Sequence, residues 1–394
     1  MKRDNFLGFL LFLFSFVVPK QKNLMIMGGG DAKVFQGNPK YLLLYLKNNK
    51  DFSCYWSAKS KDVISELIQK KIPYLNPYSI SGFFMLLRAK YHFIEKSSYD
   101  TYYSHRISGW FNFIQTWHGT PNKFVGVDAA IFLKENKGYM YENKFFNRFL
   151  KKIKFYSRQR YKYILSTSDY VSDIFEGSFE NSNIIKTGYP RNDIFFNKDL
   201  ATEDFKRSLE LDKYDRIFLY APTFRDTKLS VSSFSAKIYE LDRYLKQTNS
   251  CLIIKKHPWE KNLQLTSDLT HVIDISKKDI DVQEILIHTD VLITDYSSVF
   301  FDFMSTKKPV IFYTYDYQDY LSKCRGMYYD FKQELQGPFA DDEESLIDYI
   351  KSYEKWSINP DYIKKYNLVL DKFNSFQDAN SSKRLIDFLY PIEK

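Results

Sequence analysis

Cysteine is scarce in this chain: only Cys54, Cys251 and Cys324 occur among 394 residues, and none lies in a C-x-x-C pair. Three widely separated cysteines exclude a disulfide framework and a cysteine-based zinc site, and they fit a reducing, cytosolic setting. Glycine and proline are also few, at 14 and 12 residues, against 44% hydrophobic residues. This composition excludes collagen-like and disordered chains, so the sequence predicts a folded globular protein.

Several signatures of common enzyme sites are missing as well. Gly28, Gly29 and Gly30 do not complete a G-x-G-x-x-G motif, and neither G-x-x-x-x-G-K-[ST] nor G-x-S-x-G occurs. These absences weigh against NAD-binding, P-loop and α/β-hydrolase functions. The six histidines show no H-x-x-x-H spacing, which weighs against a histidine zinc site. We expect no cofactor and no obligatory metal ion.

The charge of the chain is positive overall, with 57 Lys and Arg residues against 48 Asp and Glu residues and a net charge of +9. This charge favours anionic partners such as phosphates, acidic polymers or an anionic membrane face, and by itself does not imply nucleic acid. Residues 148–162 interleave cationic and apolar side chains. Their spacing is typical of a membrane-surface helix and equally of a solvated helix face over a core.

The apolar run from Phe6 to Val18 is short for a membrane-spanning helix, because it has 13 residues where a span needs ~20. It follows Lys2 and Arg3, as the apolar region of a signal peptide would, but no small-x-small cleavage site comes after it. We expect an uncleaved helix within residues 1–22 that either packs on the first domain or dips into the bilayer interface.

Short apolar runs alternate with helical patterns along the rest of the chain. The first predicted strand is Leu24–Met27, and the first predicted helix is 38–46, with Asn38 as its cap ahead of Pro39. Such alternation is typical of a parallel sheet built from βαβ units. The other predicted strands are Phe52–Trp56, Phe113–Trp117, Tyr163–Ser166, Ile184–Thr187, Ile217–Tyr220, Leu252–Lys255, Val272–Ile275, Val291–Thr294 and Val310–Tyr313, and the other predicted helices are Val63–Lys70, Asp169–Glu176, Ala201–Leu211, Phe234–Gln247, Val282–Thr289 and Val299–Ser305.

These two series of strands predict an α/β fold with two doubly wound, Rossmann-like domains and a boundary near residues 195–205. The predicted division is an N-terminal helix over 1–22, a first domain over 23–200, and a second domain over 201–394 that ends in helices. In open α/β sheets, ligands bind beyond the carboxyl ends of the strands. With two such domains facing each other, we expect the site in the cleft between them.

Five polar clusters follow predicted strands and form the candidate site. Together they supply two histidines, two arginines and several hydroxyls, which are the groups needed to bind a pyrophosphate and to move a proton. In the last cluster, hydroxyls and free helix amides can bind an anion, and a carboxylate one turn further can accept hydrogen bonds from ribose. The clusters are Thr116–Pro121, Gly188–Asp193, Ala221–Arg225, Lys255–Pro258 and Thr294–Asp302.

Four of the clusters also have a purely structural interpretation. A lone histidine is often structural, and Arg191 could be an exposed residue on an ordinary turn. Trp117 could pack in the core or against a ligand. Ser297 or Ser298 could serve as the cap of the next helix without any ligand.

The five clusters in this order resemble the CDP-glycerol glycerophosphotransferases, the teichoic-acid primases and polymerases. The resemblance runs from about Gly37 to Tyr313 and rests on TWHGTP, GYPRND, APTFR, the KHP cluster and TDYSSVFFDF. It implies a GT-B-like fold of two Rossmann-like domains around a deep cleft, and peripheral association with the cytoplasmic face of the cell membrane. It also implies transfer of a polyol phosphate from a CDP-activated donor to a hydroxyl of a lipid-linked teichoic-acid or capsule-type polymer, with release of CMP.

The resemblance also implies roles for individual residues. His118 matches the base that takes the proton of the acceptor hydroxyl, and His257 matches the partner that stabilises the donor phosphates. Asn122 departs from the family, which commonly has leucine there. This departure bears on how the acceptor is bound and not on the reaction. The residues that match donor contacts are Trp117, Gly119, Thr120, Pro121, Arg191, Pro222, Thr223, Lys256, Pro258, Ser297, Ser298 and Asp302.

Two other functions stay open at this point. A GT-B glycosyltransferase would move a sugar from a nucleotide sugar into a cell-surface polysaccharide; such enzymes often present a Glu where this chain has Ser297, Ser298 and Asp302. A membrane-associated binding protein could have kept the fold and lost the activity. The polyol could be glycerol, ribitol or another, and the chain could add one unit or many.

Overall fold

The computed structural model divides the chain into two compact units. The first unit contains Met1–His118, Lys134–Leu200 and Asp378–Lys394, and the second contains Gly119–Leu133 and Ala201–Gln377. The structure describes residues 2–102, 110–137, 161–179, 183–202, 205–223, 237–256, 268–323, 326–335 and 337–391.

Each unit is built on a parallel β-sheet flanked by helices, which confirms the predicted α/β class. The strands are Gln21–Met27 (β1), Ser53–Ser57 (β2), Tyr74–Leu75 (β3), Ala89–Ile94 (β4), Phe113–Gln115 (β5), Tyr161–Ser166 (β6), Asn183–Lys186 (β7), Arg216–Tyr220 (β8), Ser250–Ile254 (β9), Val272–Asp274 (β10), Val291–Thr294 (β11), Val310–Tyr313 (β12) and Phe339–Ala340 (β13).

The α-helices of the described residues lie between and after these strands. They are Lys2–Phe14 (α1), Asn38–Leu46 (α2), Lys61–Gln69 (α3), Ile80–Arg88 (α4), Gly126–Lys137 (α5), Asp169–Ser178 (α6), Phe205–Ser208 (α7), Ile238–Gln247 (α8), Val282–Leu286 (α9), Val299–Met304 (α10), Tyr317–Lys323 (α11), Phe331–Glu334 (α12), Glu343–Lys351 (α13), Tyr353–Trp356 (α14), Pro360–Phe373 (α15) and Ser381–Leu389 (α16).

The sheet of the first unit has the order β3-β2-β1-β4-β5-β6-β7, with every pair parallel. Both of its faces are covered. Leu24 and Ile26 of β1 pack in one apolar cluster, whereas Met25 and Met27 pack in another on the opposite face. This alternation follows from the two-residue period of a strand, and it explains why Leu24–Met27 of β1 form a continuous apolar run.

The sheet of the second unit has the order β10-β9-β8-β11-β12-β13, again with parallel pairs. Phe218, Leu252, Ile293 and Tyr313 come from its four central strands and share one buried cluster. In both units the strand order reverses beside the first strand of the series, between β1 and β4 and between β8 and β11. Such a reversal is the switch point at which open α/β sheets bind ligands.

Strand β4 lies in the middle of the first sheet, although the sequence did not predict it. Helix α4 ends at Arg88 and the strand begins at Ala89, so no glycine, proline or other turn residue marks the change. The strand also carries His92, a polar residue that is fully buried. Its Nε2 lies 2.7 Å from the Tyr102 hydroxyl, and burial lowers the pKa of His92 well below its usual value.

The observed division of the chain differs from the predicted one in two segments. Gly119–Leu133 belongs to the second unit, and Asp378–Lys394 returns to the first. Helix α16 explains the return, because Leu385 and Leu389 pack in the same cluster as Met25 and Leu43. The packing of this amphipathic face assigns α16 to the first unit. The order of the elements along the chain does not reveal this packing.

The N-terminus of α16 is also held by the first unit. The Asp193 carboxylate accepts hydrogen bonds from the backbone N–H groups of Ser381 and Ser382, both at 2.9 Å. These amides have no partner within their own helix. The carboxylate therefore accepts from donors that would otherwise be buried without a hydrogen-bond partner. Burial raises the pKa of Asp193 despite these hydrogen bonds.

Helix α1 packs on the first unit along one side only. Leu11 is fully buried, in a cluster with Leu86 and Leu87, whereas Phe6 and Phe9 are 61% and 57% exposed. Helix α1 therefore packs on the first unit through one side, and a second apolar side is left uncovered. Among the helices of the described residues, none combines the length and apolar character that crossing a bilayer requires.

Replacement of Leu385 by alanine tests the assignment of α16 to the first unit. The side chain is fully buried, so we expect Leu385→Ala to lower the free energy of unfolding by about 2–5 kcal/mol. Lys383→Ala, on the exposed side of the same helix, is the control and should change it by less than about 0.5 kcal/mol. Chemical denaturation measures both, and equal stability of the two variants would contradict the packing.

Candidate active site

The predicted clusters lie at the carboxyl ends of the strands in both units. In the first unit, Thr116–His118 follows β5 and Gly188–Asp193 follows β7. In the second unit, Ala221–Thr223 follows β8, Lys255–Lys256 follows β9, and Asp295–Ser298 follows β11. Because the strands of each sheet are parallel, each unit gathers its clusters at a single edge.

The turn that presents His118 has a strained backbone. Trp117 has φ +58°, a left-handed conformation that residues with a side chain rarely adopt. Its N–H donates to Gln115 Oε1 at 3.0 Å, and its carbonyl accepts from Asn38 Nδ2 at 2.9 Å. Two side chains thus hold the peptide groups on either side of Trp117, and the next residue, His118, is exposed.

The Trp117 ring packs within the first unit. It lies edge-on to Phe175 and Phe179, with ring centroids 5.8 and 4.9 Å away, and 4.5 Å from the His118 ring. Of the two interpretations given to Trp117, this contact supports the packing role. The indole ring then packs beside the imidazole ring of His118.

Asn38 does not cap a helix, so that prediction is wrong. Gly37, with φ +78°, is the N-cap of α2, and Asn38 is the first residue of the helix. Its fully buried carboxamide donates to the carbonyls of Thr116 and Trp117, both at 2.9 Å, and accepts from the Arg191 N–H at 3.1 Å. The side chain therefore joins the loop after β5 to the loop after β7.

Arg191 is only 6% exposed, which rules out an arginine that simply projects into solvent. It lies in the 3-10 helix Pro190–Phe195, and its Cζ is 5.4 Å from the centre of the Tyr189 ring. The preceding Gly188 has φ +80°, and a Cβ there would lie 2.6 Å from Ser381 Oγ. The glycine is thus required both by its conformation and by the close approach of α16.

The switch point of the second sheet carries two of the predicted clusters. The Thr223 N–H donates to Asp295 Oδ1 at 2.8 Å, and Thr294 Oγ1 donates to the Ala221 carbonyl at 2.7 Å. These bonds join the ends of β8 and β11, which are neighbours in the sheet. Pro222 and Thr223 are half-buried at this edge, as a ligand-contacting turn would be.

Helix α10 begins at Val299, directly after the predicted serines. Its N-cap is Ser298, whose side chain makes no capping hydrogen bond, while Ser297 Oγ accepts from the Val299 N–H at 3.4 Å. Capping therefore involves Ser297 and not Ser298. Both hydroxyls lie in half-buried residues at the edge of the second sheet.

The segment after Gly119 packs against this same loop. Asn122 Nδ2 donates to the Tyr296 carbonyl at 3.0 Å, and both Thr120 and Asn122 are buried. The asparagine at the position where the resembling family commonly has leucine thus has a structural task in this chain. Its hydrogen bond holds the residue after Pro121 against the residue before Ser297.

Lys256 and Asp302 point into the second unit. The Lys256 N–H donates to Ser276 Oγ at 2.9 Å and its Nζ is 3.5 Å from Asp274 Oδ2. Burial would raise the pKa of Asp274, but hydrogen bonds from Ser276 and the Lys256 charge outweigh it and lower that pKa. Asp302 is 2% exposed.

A partner of Asp302 was missed by the sequence reasoning. Gln283 Nε2, from the buried side of α9, donates to Asp302 Oδ2 at 3.2 Å. A buried glutamine in a short helix gives no periodic signal, so only the fold reveals the pair. His257, Pro258 and Arg225 lie outside the described residues, and so does most of 148–162.

Comparison with known proteins supports one family. The model of the CDP-Glycerol:Poly(glycerophosphate) glycerophosphotransferase family matches residues 10–390. The teichoic acid glycerol-phosphate transferase of Staphylococcus aureus (strain NCTC 8325 / PS 47) is 31% identical over 94% of this chain and 93% of its own. The teichoic acid poly(glycerol phosphate) polymerase of Bacillus subtilis (strain 168) is 29% identical over 97% of this chain and 50% of its own.

Solved structures agree with these sequence relatives. The wall teichoic acid polymerase TagF is 25% identical, with a TM-score of 0.76, over 99% of this chain and 93% of that one. A histidine-to-asparagine variant of TagF soaked with CDPG is also 25% identical, with a TM-score of 0.73 over 94% and 88% of the two chains.

Replacement of Asn122 by alanine tests the contact with Tyr296. The variant loses a buried hydrogen bond, so we expect a loss of about 1–3 kcal/mol in the free energy of unfolding. Asn367→Ala, at an exposed position of α15, is the matched control and should stay within about 0.5 kcal/mol of the natural chain. Urea denaturation measures both, and an unchanged midpoint for Asn122→Ala would refute the contact.

Proposed function

The chain belongs to the CDP-glycerol:poly(glycerophosphate) glycerophosphotransferase family, and we propose that it transfers glycerol phosphate from CDP-glycerol to a hydroxyl of a lipid-linked teichoic-acid or capsule-type polymer. It is an enzyme of the phosphotransferase class, as its relatives are. The observation that carries the assignment of His118 is its exposed imidazole on a hydrogen-bonded turn, tied through Asn38 to Arg191.

The proposed reaction is a displacement at phosphorus. The acceptor hydroxyl oxygen forms a bond to the phosphorus that carries glycerol, and the bond from this phosphorus to the bridging oxygen breaks, so that CMP leaves with the electron pair. His118 takes the proton of the hydroxyl. Histidine is suited to accept a proton at neutral pH, and such general-base help is typically worth ~10²–10⁴-fold in rate.

The other groups act by position and charge. In-line phosphoryl transfer depends mainly on alignment and on neutralising charge on the phosphoryl oxygens. In this proposal Arg191 supplies positive charge in the first unit, while Thr223, Ser297 and Ser298 hold the donor in the second. His257 assists the donor phosphates, and Asp302 the ribose.

The alternative functions predict different products. A glycosyltransferase would transfer a sugar carbon and leave a nucleoside diphosphate, whereas the proposed enzyme transfers phosphorus and leaves CMP. An inactive binding protein would release neither. The family match over residues 10–390 favours the phosphotransferase. Curated relatives include both glycerol-phosphate and ribitol-phosphate polymerases, so the polyol is decided by the assay below.

Replacement of His118 by alanine tests the proposed base. We expect CMP release from CDP-glycerol, with a lipid-linked acceptor, to fall by about 10²–10⁴-fold without loss of thermal stability, because the side chain is exposed. His271→Ala, a half-buried histidine of the second unit, is the control and should keep the natural rate. A normal rate in His118→Ala would refute the assignment, and CDP-ribitol with product mass identifies the polyol.

We also propose that the enzyme binds the cytoplasmic membrane face peripherally, through the uncovered side of α1. From Phe6 to Phe14 this helix consists of apolar residues and one glycine, and a helix that is apolar on all sides is normally buried on all sides. Phe6 and Phe9 project from it, while Phe84 and Trp110 are 53% and 70% exposed nearby. The Phe16 ring lies 6.1 Å from the Trp110 ring, so the apolar surface continues beyond α1.

A lipid surface fits this patch better than a second protein surface does. Tryptophan and phenylalanine are the side chains that settle at the boundary between headgroups and acyl chains, and the net charge of +9 favours anionic headgroups. A helix of 13 residues is too short to cross a bilayer, so it can enter only one leaflet. This arrangement would keep the lipid-linked acceptor at the membrane surface.

Vesicle co-sedimentation tests the membrane proposal. We expect the natural chain to bind vesicles of phosphatidylglycerol and phosphatidylcholine, and the double variant Phe6→Ser/Phe9→Ser to lose most of that binding while its thermal stability is kept. Ile358→Ser, 70% exposed on the second unit, is the control and should bind normally. Equal binding by all three proteins would exclude the α1 surface, and a concentration-dependent dimer in place of vesicle binding would show a protein partner instead.

A further inference from the structure

We infer that Asn38 is a positioning residue for the transfer step: its carboxamide holds the turn that presents His118 and sets that turn in register with Arg191. This inference rests on the proposed function, because it concerns how the proposed base is oriented. Asn38 touches no reacting atom. It acts through the backbone of the loops that follow β5 and β7.

The three hydrogen bonds of Asn38 require a carboxamide of this length. Nδ2 donates to the carbonyls of Thr116 and Trp117, and Oδ1 accepts from the Arg191 N–H. A carboxylate of the same shape keeps the acceptor and loses both donors, whereas an aliphatic side chain loses all three bonds. Because the residue is fully buried, water cannot replace the missing partners.

The backbone conformation of Trp117 makes these hydrogen bonds necessary. Its left-handed backbone is unfavourable for a residue with a side chain, so the turn persists only if its surroundings enforce it. Gln115 Oε1 receives the N–H of Trp117 and Asn38 Nδ2 donates to its carbonyl. If either bond is lost, one of the two peptide groups that flank Trp117 is free to rotate toward an ordinary conformation, and the imidazole of His118 moves with it.

The same carboxamide couples two distant parts of the sequence. The bonds from Asn38 reach 78 and 79 residues ahead to the His118 turn and 153 residues ahead to Arg191. A base and a cation that act on the same phosphoryl transfer must keep a fixed separation, since small displacements are costly in rate. Asn38 forms hydrogen bonds to both loops.

Steady-state kinetics of Asn38→Asp separates positioning from folding. This variant keeps the acceptor for Arg191 and loses the donors to the His118 turn. We expect kcat with CDP-glycerol to fall about 10- to 100-fold, while KM for the donor stays within about three-fold. Asn38→Ala, which also loses the Arg191 bond, should in addition raise that KM.

Two further variants make the test decisive. Asn112→Ala removes an amide bond to the Lys90 carbonyl in the same unit, away from the turn, and is the control that should keep kcat. Gln115→Ala removes the opposite support of Trp117 and should lower kcat as Asn38→Asp does. If Asn38→Asp does not fold, Gln115→Ala decides by the same criterion. A kcat within two-fold of the natural chain in the folded variant would overturn the inference.

A readout independent of activity distinguishes this inference from the proposed function. The ring resonances of His118, identified by their absence in His118→Ala, should shift in Asn38→Asp and stay in place in Asn112→Ala. If the natural chain releases no CMP from CDP-glycerol, the proposed function fails while this comparison still tests the positioning. Unchanged His118 resonances in Asn38→Asp would show that the carboxamide does not orient the ring.

Discussion

Parallel pairing of the strands is the constraint on which the site depends. A parallel strand must be followed by a crossover that returns to the same starting edge, so the carboxyl ends of all strands in a sheet lie together. Residues that are far apart in sequence, such as Trp117 and Arg191, therefore meet at one edge of the first sheet. Thr223 and Asp295 meet in the same way at the switch point of the second.

Buried polar side chains then fix the positions of the loops at this edge of each sheet. Asn38 links two loops of the first unit, Asp193 joins the GYPRND turn to α16, and Asp295 and Asn122 fasten the loops of the second unit. Each is buried, and each leaves polar groups without partners if it is removed. In the first unit, the exposed imidazole of His118 thus follows a turn that is held by the buried carboxamides of Asn38 and Gln115.

Much of the fold could be predicted from local patterns, because apolar runs bounded by polar turns mark buried parallel strands. Strand β4 escaped because α4 runs into it without a turn residue, and β3 and β13 are only two residues long. The described residues of the five clusters follow strands, as predicted. The cleft between the two units, and with it the meeting of His118 and His257, stays a prediction.

The side chains that organise the site could not be predicted, for a physical reason. Asn38 before Pro39 has the local signature of a helix cap, and only tertiary contacts show that it bonds to loops near 116 and 191. Gln115 and Gln283 carry no motif. Local propensity reflects interactions between neighbours in sequence, whereas the roles of these amides depend on the folded arrangement of the loops at the sheet edge.

The return of α16 to the first unit has a consequence for biosynthesis. The apolar surface that Leu385 and Leu389 cover belongs to a sheet whose strands are all made before residue 187, yet the helix that covers it is made after the second unit. During translation of the entire second unit, this surface stays open to solvent or to a chaperone. The first unit is thus begun before the second unit and completed after it.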